Sequence, residues 1–150
     1  MTKSAYDSAL RLLARREHSA MELATKLKQR QFSSDEIQQA VIKCQQLNYQ
    51  SDERFAEQLY NARVRQGYGP LRIQQELQSK GVDEIVFDSI LHQDPMDIWA
   101  QRATAVILKK FSEDQAVSWE DRQKRARFLM VRGFPMDLII ELMRTEKEKV

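Results

Sequence analysis

Apolar residues recur along this chain at the 3.6-residue spacing of a helix, not the two-residue spacing of a strand. Tyr6, Ala9, Leu10 and Leu13 share one helical face, and Ile37, Val41 and Cys44 share another. Phe55, Ala56, Leu59 and Tyr60 do the same, as do Trp99, Ala103, Val106 and Ile107, and then Leu138, Ile139 and Leu142. No segment alternates strictly for more than a few residues, so no sheet is expected. Helix starts are marked by Ser19 with Glu22, Ser33 with Glu36 and Ser118 with Asp121, the spacing of a capping box. Ser51 precedes a run with acids in its first turn, where the helix dipole favours them. Asp94 is expected to cap the following helix, with Pro95 at its first position.

The pattern repeats. Windows 19–32, 69–82 and 121–134 align without gaps. Leu27, Leu77 and Leu129 occupy one place, and Arg30, Lys80 and Arg132 another. Next come Gln31, Gly81 and Gly133, and then Phe32, Val82 and Phe134. Each window therefore ends in a basic residue, a residue suited to left-handed backbone, and an apolar residue that folds back onto the helix. This is a Schellman-type stop and suits a helix–turn–helix corner. Gln31 fits the left-handed place least well, so the first corner is expected to turn less sharply. One helix precedes each window and one follows it. The expected fold is all-α: three tandem three-helix repeats, helix–turn–helix-like, at 1–50, 51–94 and 95–150. The third carries a longer connector at 112–117. Units of about 45 residues bury too little apolar surface alone, so neighbours must share core, which predicts an elongated, curved array.

Composition narrows the function classes. The chain has 150 residues, four glycines, three prolines and a net charge of +2. Basic residues outnumber acids in 1–50 and 95–150, and acids outnumber basic residues in 51–94. Local basic faces are possible, but a strong overall field is not. Cys44 is the one cysteine, which excludes an intrachain disulfide, and its apolar face makes it core. No apolar run follows Lys3, and no stretch approaches the ~20 apolar residues of a membrane span. A cytoplasmic protein with no signal peptide and no membrane partner is expected.

Residues 65–82 hold Gly67, Gly69 and Gly81, which raises the question of a phosphate loop. The Walker pattern is absent, and a dinucleotide fingerprint would need a preceding strand and a third glycine in register. The glycines read as punctuation: Gly67 ends one helix, Gly69 caps the next, Pro70 occupies its first position, and Gly81 ends it. His18, His92 and Cys44 cannot supply a thiolate–imidazole zinc site, and both histidines read as surface residues. No catalytic constellation is present, so neither an enzyme nor a cofactor or metal is expected. The basic residues carry more. Arg11, Arg15 and Arg16 sit together, followed by Lys26, Lys28 and Arg30. Arg122, Arg125 and Arg132 share a face beside Lys124 and Arg127. Their recurrence at equivalent places would form a stripe for phosphates or an acidic protein surface. Arg63 and Arg125 fall where the other repeats have apolar residues. Each either lays its stem on the core with its head in water, the reading slightly favoured, or points into a concave binding surface. Tyr68 either packs over the corner or presents its ring to a partner.

Residues 47–82 resemble the central motif of the bacterial RecX family. The resemblance rests on Asp52, Phe55 and Ala56, then Arg63, Gly67, Gly69, Ile73, Leu77 and the run Lys80-Gly81-Val82. The run Arg132-Gly133-Phe134 before an apolar helix extends it over nearly the whole chain. The motif is strongest in the middle repeat and weakest in the first, where Gln31 stands at the corner. The resemblance implies a helical protein that binds the RecA recombinase filament on single-stranded DNA. It also implies limits on RecA's ATP hydrolysis, strand exchange and coprotease activity. Some members bind DNA directly, so double-stranded DNA is a further candidate partner, and a monomer is expected. Placement beside the corners makes Arg63, Arg65, Tyr68, Arg72 and Lys80 the expected contacts, together with Arg122, Lys124, Arg125 and Arg132. The alternative is a sequence-independent DNA-binding helical protein with no recombinase partner.

Overall fold

The computed structural model describes residues 3–111 and 118–148, with side-chain surroundings as far as residue 144. Among these residues the chain forms nine helices and no strand. They are α1 (Ala5–Arg15), α2 (Ala20–Gln29), α3 (Ser34–Gln46), α4 (Asp52–Arg65), α5 (Pro70–Ser79), α6 (Glu84–Leu91), α7 (Met96–Phe111), α8 (Trp119–Arg132) and α9 (Met136–Glu148). The connector expected at 112–117 lies outside the described residues. Two compact units emerge from the packing: residues 1–59 with 76–90, and residues 60–75 with 91–150. No described helix is long and apolar enough to cross a membrane.

In unit one, α1, α2 and α3 close around Ala5, Ala9, Leu12, Leu23, Leu27, Ile37, Ala40 and Cys44. The apolar face of α1 is rotated from the expected one. Leu12 and Ala5 lie at the centre, while Tyr6, Leu10 and Leu13 pack at the margin. The small residues Ala5, Ser8 and Ala9 let neighbouring helices approach closely, so the larger side chains beside them are displaced to the edge. Cys44 is fully buried as expected, and that burial pushes its thiol pKa up. In unit two, Tyr60, Trp99 and Phe134 form a chain of edge-to-face rings with centroids 6.0 and 6.3 Å apart. Leu138 and Ile139 of α9 are buried in the same unit.

The three aligned leucines, Leu27, Leu77 and Leu129, have no exposed surface. Truncating any of them to alanine would cost about 2–5 kcal/mol. Each is also the acceptor that ends its helix: Phe32, Val82 and Phe134 donate backbone N–H to the carbonyls of Leu27, Leu77 and Leu129 at 3.4, 3.1 and 3.1 Å. The residues between are left-handed, with φ of 70° at Gln31, 77° at Gly81 and 96° at Gly133. Gln31 therefore makes the same turn as the glycines, contrary to expectation. The returning apolar residue and the leucine carbonyl fix the turn, and Gln31 bears the steric strain that glycine avoids. Asn48 and Gly67 end α3 and α4 by the same device.

The helix starts needed correction at two places. Ser19, Ser33, Ser51 and Ser118 each accept from the backbone N–H three residues on. Ser33 with Glu36 is a reciprocal capping box, but the Glu22 carboxylate turns away to two cations. Asp94 does not cap α7. Pro95 stands at the cap, its carbonyl accepting from Ile98 and Trp99. The Asp94 carboxylate instead accepts from the Tyr60 hydroxyl and pairs with Arg102 at 2.9 Å.

Candidate functional site

Two corners dock on helix starts, one in each unit. In unit one the corner after α5 meets the start of α2. The Ser19 hydroxyl donates to the Lys80 carbonyl at 2.7 Å, and a side chain at Gly81 would collide with Met21. In unit two the corner after α8 meets the start of α5. The Gly69 N–H donates to the Arg132 carbonyl at 2.8 Å, and the Leu71 N–H to the Gly133 carbonyl at 2.9 Å. A Cβ on Gly69 would lie 2.5 Å from Gly133 backbone, and one on Gly133 would lie 2.5 Å from the Arg72 Cβ. The repeat alignment makes Ser19 equivalent to Gly69, Glu22 to Arg72, Lys80 to Arg132, and His18 to Tyr68. The donor is a side-chain hydroxyl at the first corner and two backbone N–H groups at the second, and a carboxylate stands among the cations of the first where the second has an arginine.

At the first clasp the charges are met internally. Glu22 accepts two hydrogen bonds of 3.0 Å from the Arg16 guanidinium and pairs with Lys80 at 3.3 Å. Burial disfavours the Glu22 carboxylate, but the two cations outweigh it and hold its pKa down at about 2. His18 is buried, contrary to its reading as a surface residue. The Lys26 ammonium, which has only protons to give, lies 2.9 Å from Nε2, so Nδ1 carries the proton and donates to the Arg16 carbonyl at 3.0 Å. Burial first, then the Arg16 and Lys26 charges, lower the His18 pKa. Asp52 and buried Gln50 brace the clasp. Asp52 accepts from the Ala20 N–H at 2.8 Å, and the Gln50 amide donates to Asp52 and to the His18 carbonyl.

At the second clasp no carboxylate stands where Glu22 stands in the first. Arg72 and Arg132 both lie over the Tyr68 ring, at 4.2 and 4.9 Å from its centroid. Tyr68 thus packs over the corner. Arg132 also covers the Phe128 ring at 5.1 Å and donates to the Gln66 carbonyl at 2.9 Å. Beside it opens a cavity of about 450 Å³, lined by the end of α4, the outer turns of α7, and Phe128, Arg132 and Phe134. Its cations are Arg65, Arg102, Lys109, Lys110 and Arg132, and among the described residues no acid lines it. Arg102 is pinned by Asp94 and Tyr60 and lies over the Trp99 ring at 4.6 Å. Arg65, Lys109, Lys110, Arg72 and Arg132 make no salt bridge among the described residues.

The expected contact residues separate accordingly. Arg65, Tyr68 and Arg132 line this cavity, and Arg72 borders the same clasp. Arg63 is half-buried and donates to the Gln66 side chain at 3.0 Å. Lys80 belongs to unit one and to the Glu22 network. Arg122 and Lys124 lie on α8 away from the cavity lining. Arg125 is 3% exposed, its guanidinium over the Phe111 ring at 5.2 Å, so its head does not reach water as expected. The sequence reading missed Lys109, Lys110 and Arg102. A lysine pair closing an apolar helix looks like an ordinary C-terminal turn, and the windows that revealed the repeats do not include α7. The described residues hold no cluster of metal-ligating side chains.

Comparison with known proteins bears on the whole chain. Family models for the first, second and third three-helix domains of RecX match residues 5–44, 51–89 and 99–143. A regulatory protein RecX of Legionella pneumophila is 50% identical over 147 residues, covering 98% of this chain and 97% of that one. The Haemophilus influenzae protein of the same name is 37% identical over 145 residues, 95% of each chain. The crystal structure of RecX from Lactobacillus salivarius superposes with a TM-score of 0.80 over 95% of this chain and 94% of its own, at 21% identity. With three consecutive domain models and full-length relatives in agreement, the chain belongs to the RecX family.

Proposed function

We propose that this RecX-family chain exercises its regulatory role by binding the RecA filament on single-stranded DNA and inhibiting its ATPase, strand-exchange and coprotease activities. The observation that carries the reading is the second clasp: a cluster of cations around an open cavity, with no acid facing them among the described residues. A filament on DNA presents phosphates and protein along one groove. A helical protein seated there restrains the subunit motions that hydrolysis and exchange require, or blocks addition at the growing end. Neither route needs chemistry from the bound protein, and the relatives are named as regulatory proteins. The three repeats divide at 50/51 and 94/95, and the chain acts as a monomer in the cytoplasm. Arg65, Tyr68, Arg72, Arg122, Lys124 and Arg132 make the contacts. Arg63, Lys80 and Arg125 hold the surrounding structure.

The test adds substoichiometric protein to RecA hydrolysing ATP on single-stranded DNA. Inhibition well below one molecule per RecA is expected. Inhibition that appears only when the protein saturates the DNA would sink the reading in favour of a DNA-binding protein without a recombinase partner.

A further inference from the structure

The cavity in unit two brings an apolar wall and a set of cations together in one concave space. Val64, Ala105, Val106, Phe128 and Phe134 form the wall. Arg65, Lys109, Lys110 and Arg132 supply charge that no described carboxylate meets. The two surfaces join at Gly67. A Cβ there would lie 3.1 Å from a Val106 methyl and 3.7 Å from Arg132 Nη1, so the missing side chain leaves a space bordered by a methyl and a guanidinium. They join again at Phe128, whose ring carries the Arg132 head at 5.1 Å and the Lys110 head at 5.9 Å and meets Phe111 edge to face at 5.7 Å. One ring is thus part of the wall and the support for two of the cations. We infer that this cavity binds a small amphiphilic monoanion, a carboxylate on an acyl or aryl body, with the carboxylate at Arg132, Lys110, Lys109 and Arg65 and the body against the apolar wall.

The composition of the cavity selects that class. Its volume of about 450 Å³ suits a small organic molecule, and walls that are mostly apolar with a few charged groups are the usual lining of such sites. Inorganic phosphate or a polyphosphate would leave the apolar wall in water. It would also find no cradle of backbone amides, because among the described residues no helix N-terminus lines the cavity. An uncharged apolar molecule would take water from the cations and return no counter-charge. A carboxylate on an apolar body answers both demands at once. The inference goes beyond the proposed function, and it also bears on it: Arg65, Tyr68 and Arg132 line the cavity, so a bound molecule would compete with the filament for them.

The test uses the protein alone. Its probe is 8-anilinonaphthalene-1-sulfonate, an aryl monoanion whose fluorescence rises in an apolar site. One saturable site is expected, displaced by decanoate, by 2-naphthoate or by both, each below its aggregation threshold; the more effective competitor distinguishes an acyl from an aryl body. Along a series of straight-chain carboxylates, affinity should rise about fourfold per methylene until the cavity is full and then level off. Lys109→Gln/Lys110→Gln, at two exposed positions, should weaken binding of the probe about tenfold. Ala105→Trp, also at an exposed position, places an indole in the cavity and should abolish binding with the thermal midpoint unchanged. Lys3→Gln, on the exposed start of the chain, should bind as wild type does. No saturable binding, binding indifferent to both cavity variants, or equal displacement by decanol or by inorganic phosphate would overturn the inference. Loss of RecA inhibition would leave this titration untouched, so the failure of either reading is visible without the other.

Discussion

Gly69→Ala tests whether the second clasp is held by backbone contact. A Cβ at this position would sit 2.5 Å from the carbonyl carbon and oxygen of Gly133 and 2.6 Å from the Phe134 nitrogen. All three are backbone atoms, so no side-chain rotation relieves the collision. Restoring van der Waals distance requires about 1 Å of separation, which stretches the hydrogen bonds from Gly69 and Leu71 beyond useful range. Losing two such bonds with their groups still largely buried costs about 1–2 kcal/mol each, so a total of about 2–4 kcal/mol is expected. For a chain of this size that lowers Tm by roughly 5–15 °C. Gly69 read only as a helix cap would predict about 1 kcal/mol or less. Both tryptophans, Trp99 and Trp119, lie in unit two, and Trp99 is buried there, so tryptophan fluorescence during urea unfolding reports this unit specifically. A midpoint shift equivalent to less than 1 kcal/mol would refute the backbone-contact argument.

The first clasp carries the acid sensitivity of unit one. Glu22 has its carboxyl lowered from 4.5 to about 2, so its contribution is full above pH 4.5 and is lost as pH falls towards 2. That lowering sets a ceiling of about 3 kcal/mol, which the half-exposed Arg16 and Lys80 reduce to about 1–2 kcal/mol by screening; Glu22→Gln should lose this at pH 7 and flatten the acid limb of a circular-dichroism titration. His18 is also lowered, from 6.5, so the fold favours its neutral form and stability begins to fall as pH drops below 6.5. His18→Gln should remove this first phase while leaving the phase below pH 4.5, and an unaltered profile would count against the buried neutral imidazole. Gln31→Gly relieves a left-handed side chain at an exposed site and should stabilise unit one by about 0.5–1 kcal/mol in chemical denaturation.

What the sequence made legible was what the backbone demands locally. The leucine, left-handed residue and returning apolar residue of each corner form one hydrogen-bonded motif within a few residues, so their spacing alone revealed them. Gln31 turned as its glycine counterparts do because the motif's two ends fix the turn. The rest depended on contacts distant in sequence. Gly69 reads as a cap until Gly133 is found against it. His18 lies in a charged run, and its burial follows from Lys26 and Gln50 closing over it. Asp94 precedes a proline like a cap, yet its carboxylate serves Tyr60 and Arg102 instead. Lys109 and Lys110 become notable only when α7 is seen to wall the cavity.

Repetition also explains why the basic residues could not be ranked by alignment. Lys80 and Arg132 occupy the same place in their repeats, and each follows its conserved-in-place leucine by three residues. Their carbonyls are used alike: each accepts from the residue that starts the docked helix, a side-chain hydroxyl at Ser19 and a backbone N–H at Gly69. Their side chains meet different surroundings because position 22 holds a carboxylate and position 72 a guanidinium. Lys80 is spent on an internal ion pair, and its removal should act mainly on stability. Arg132 has aromatic rings and a carbonyl for support but no counter-charge among the described residues, so its charge is open to a ligand. The same repeat position is therefore a strut in one unit and a candidate contact in the other, and the residue that decides between them is the one three places after each docked helix's cap.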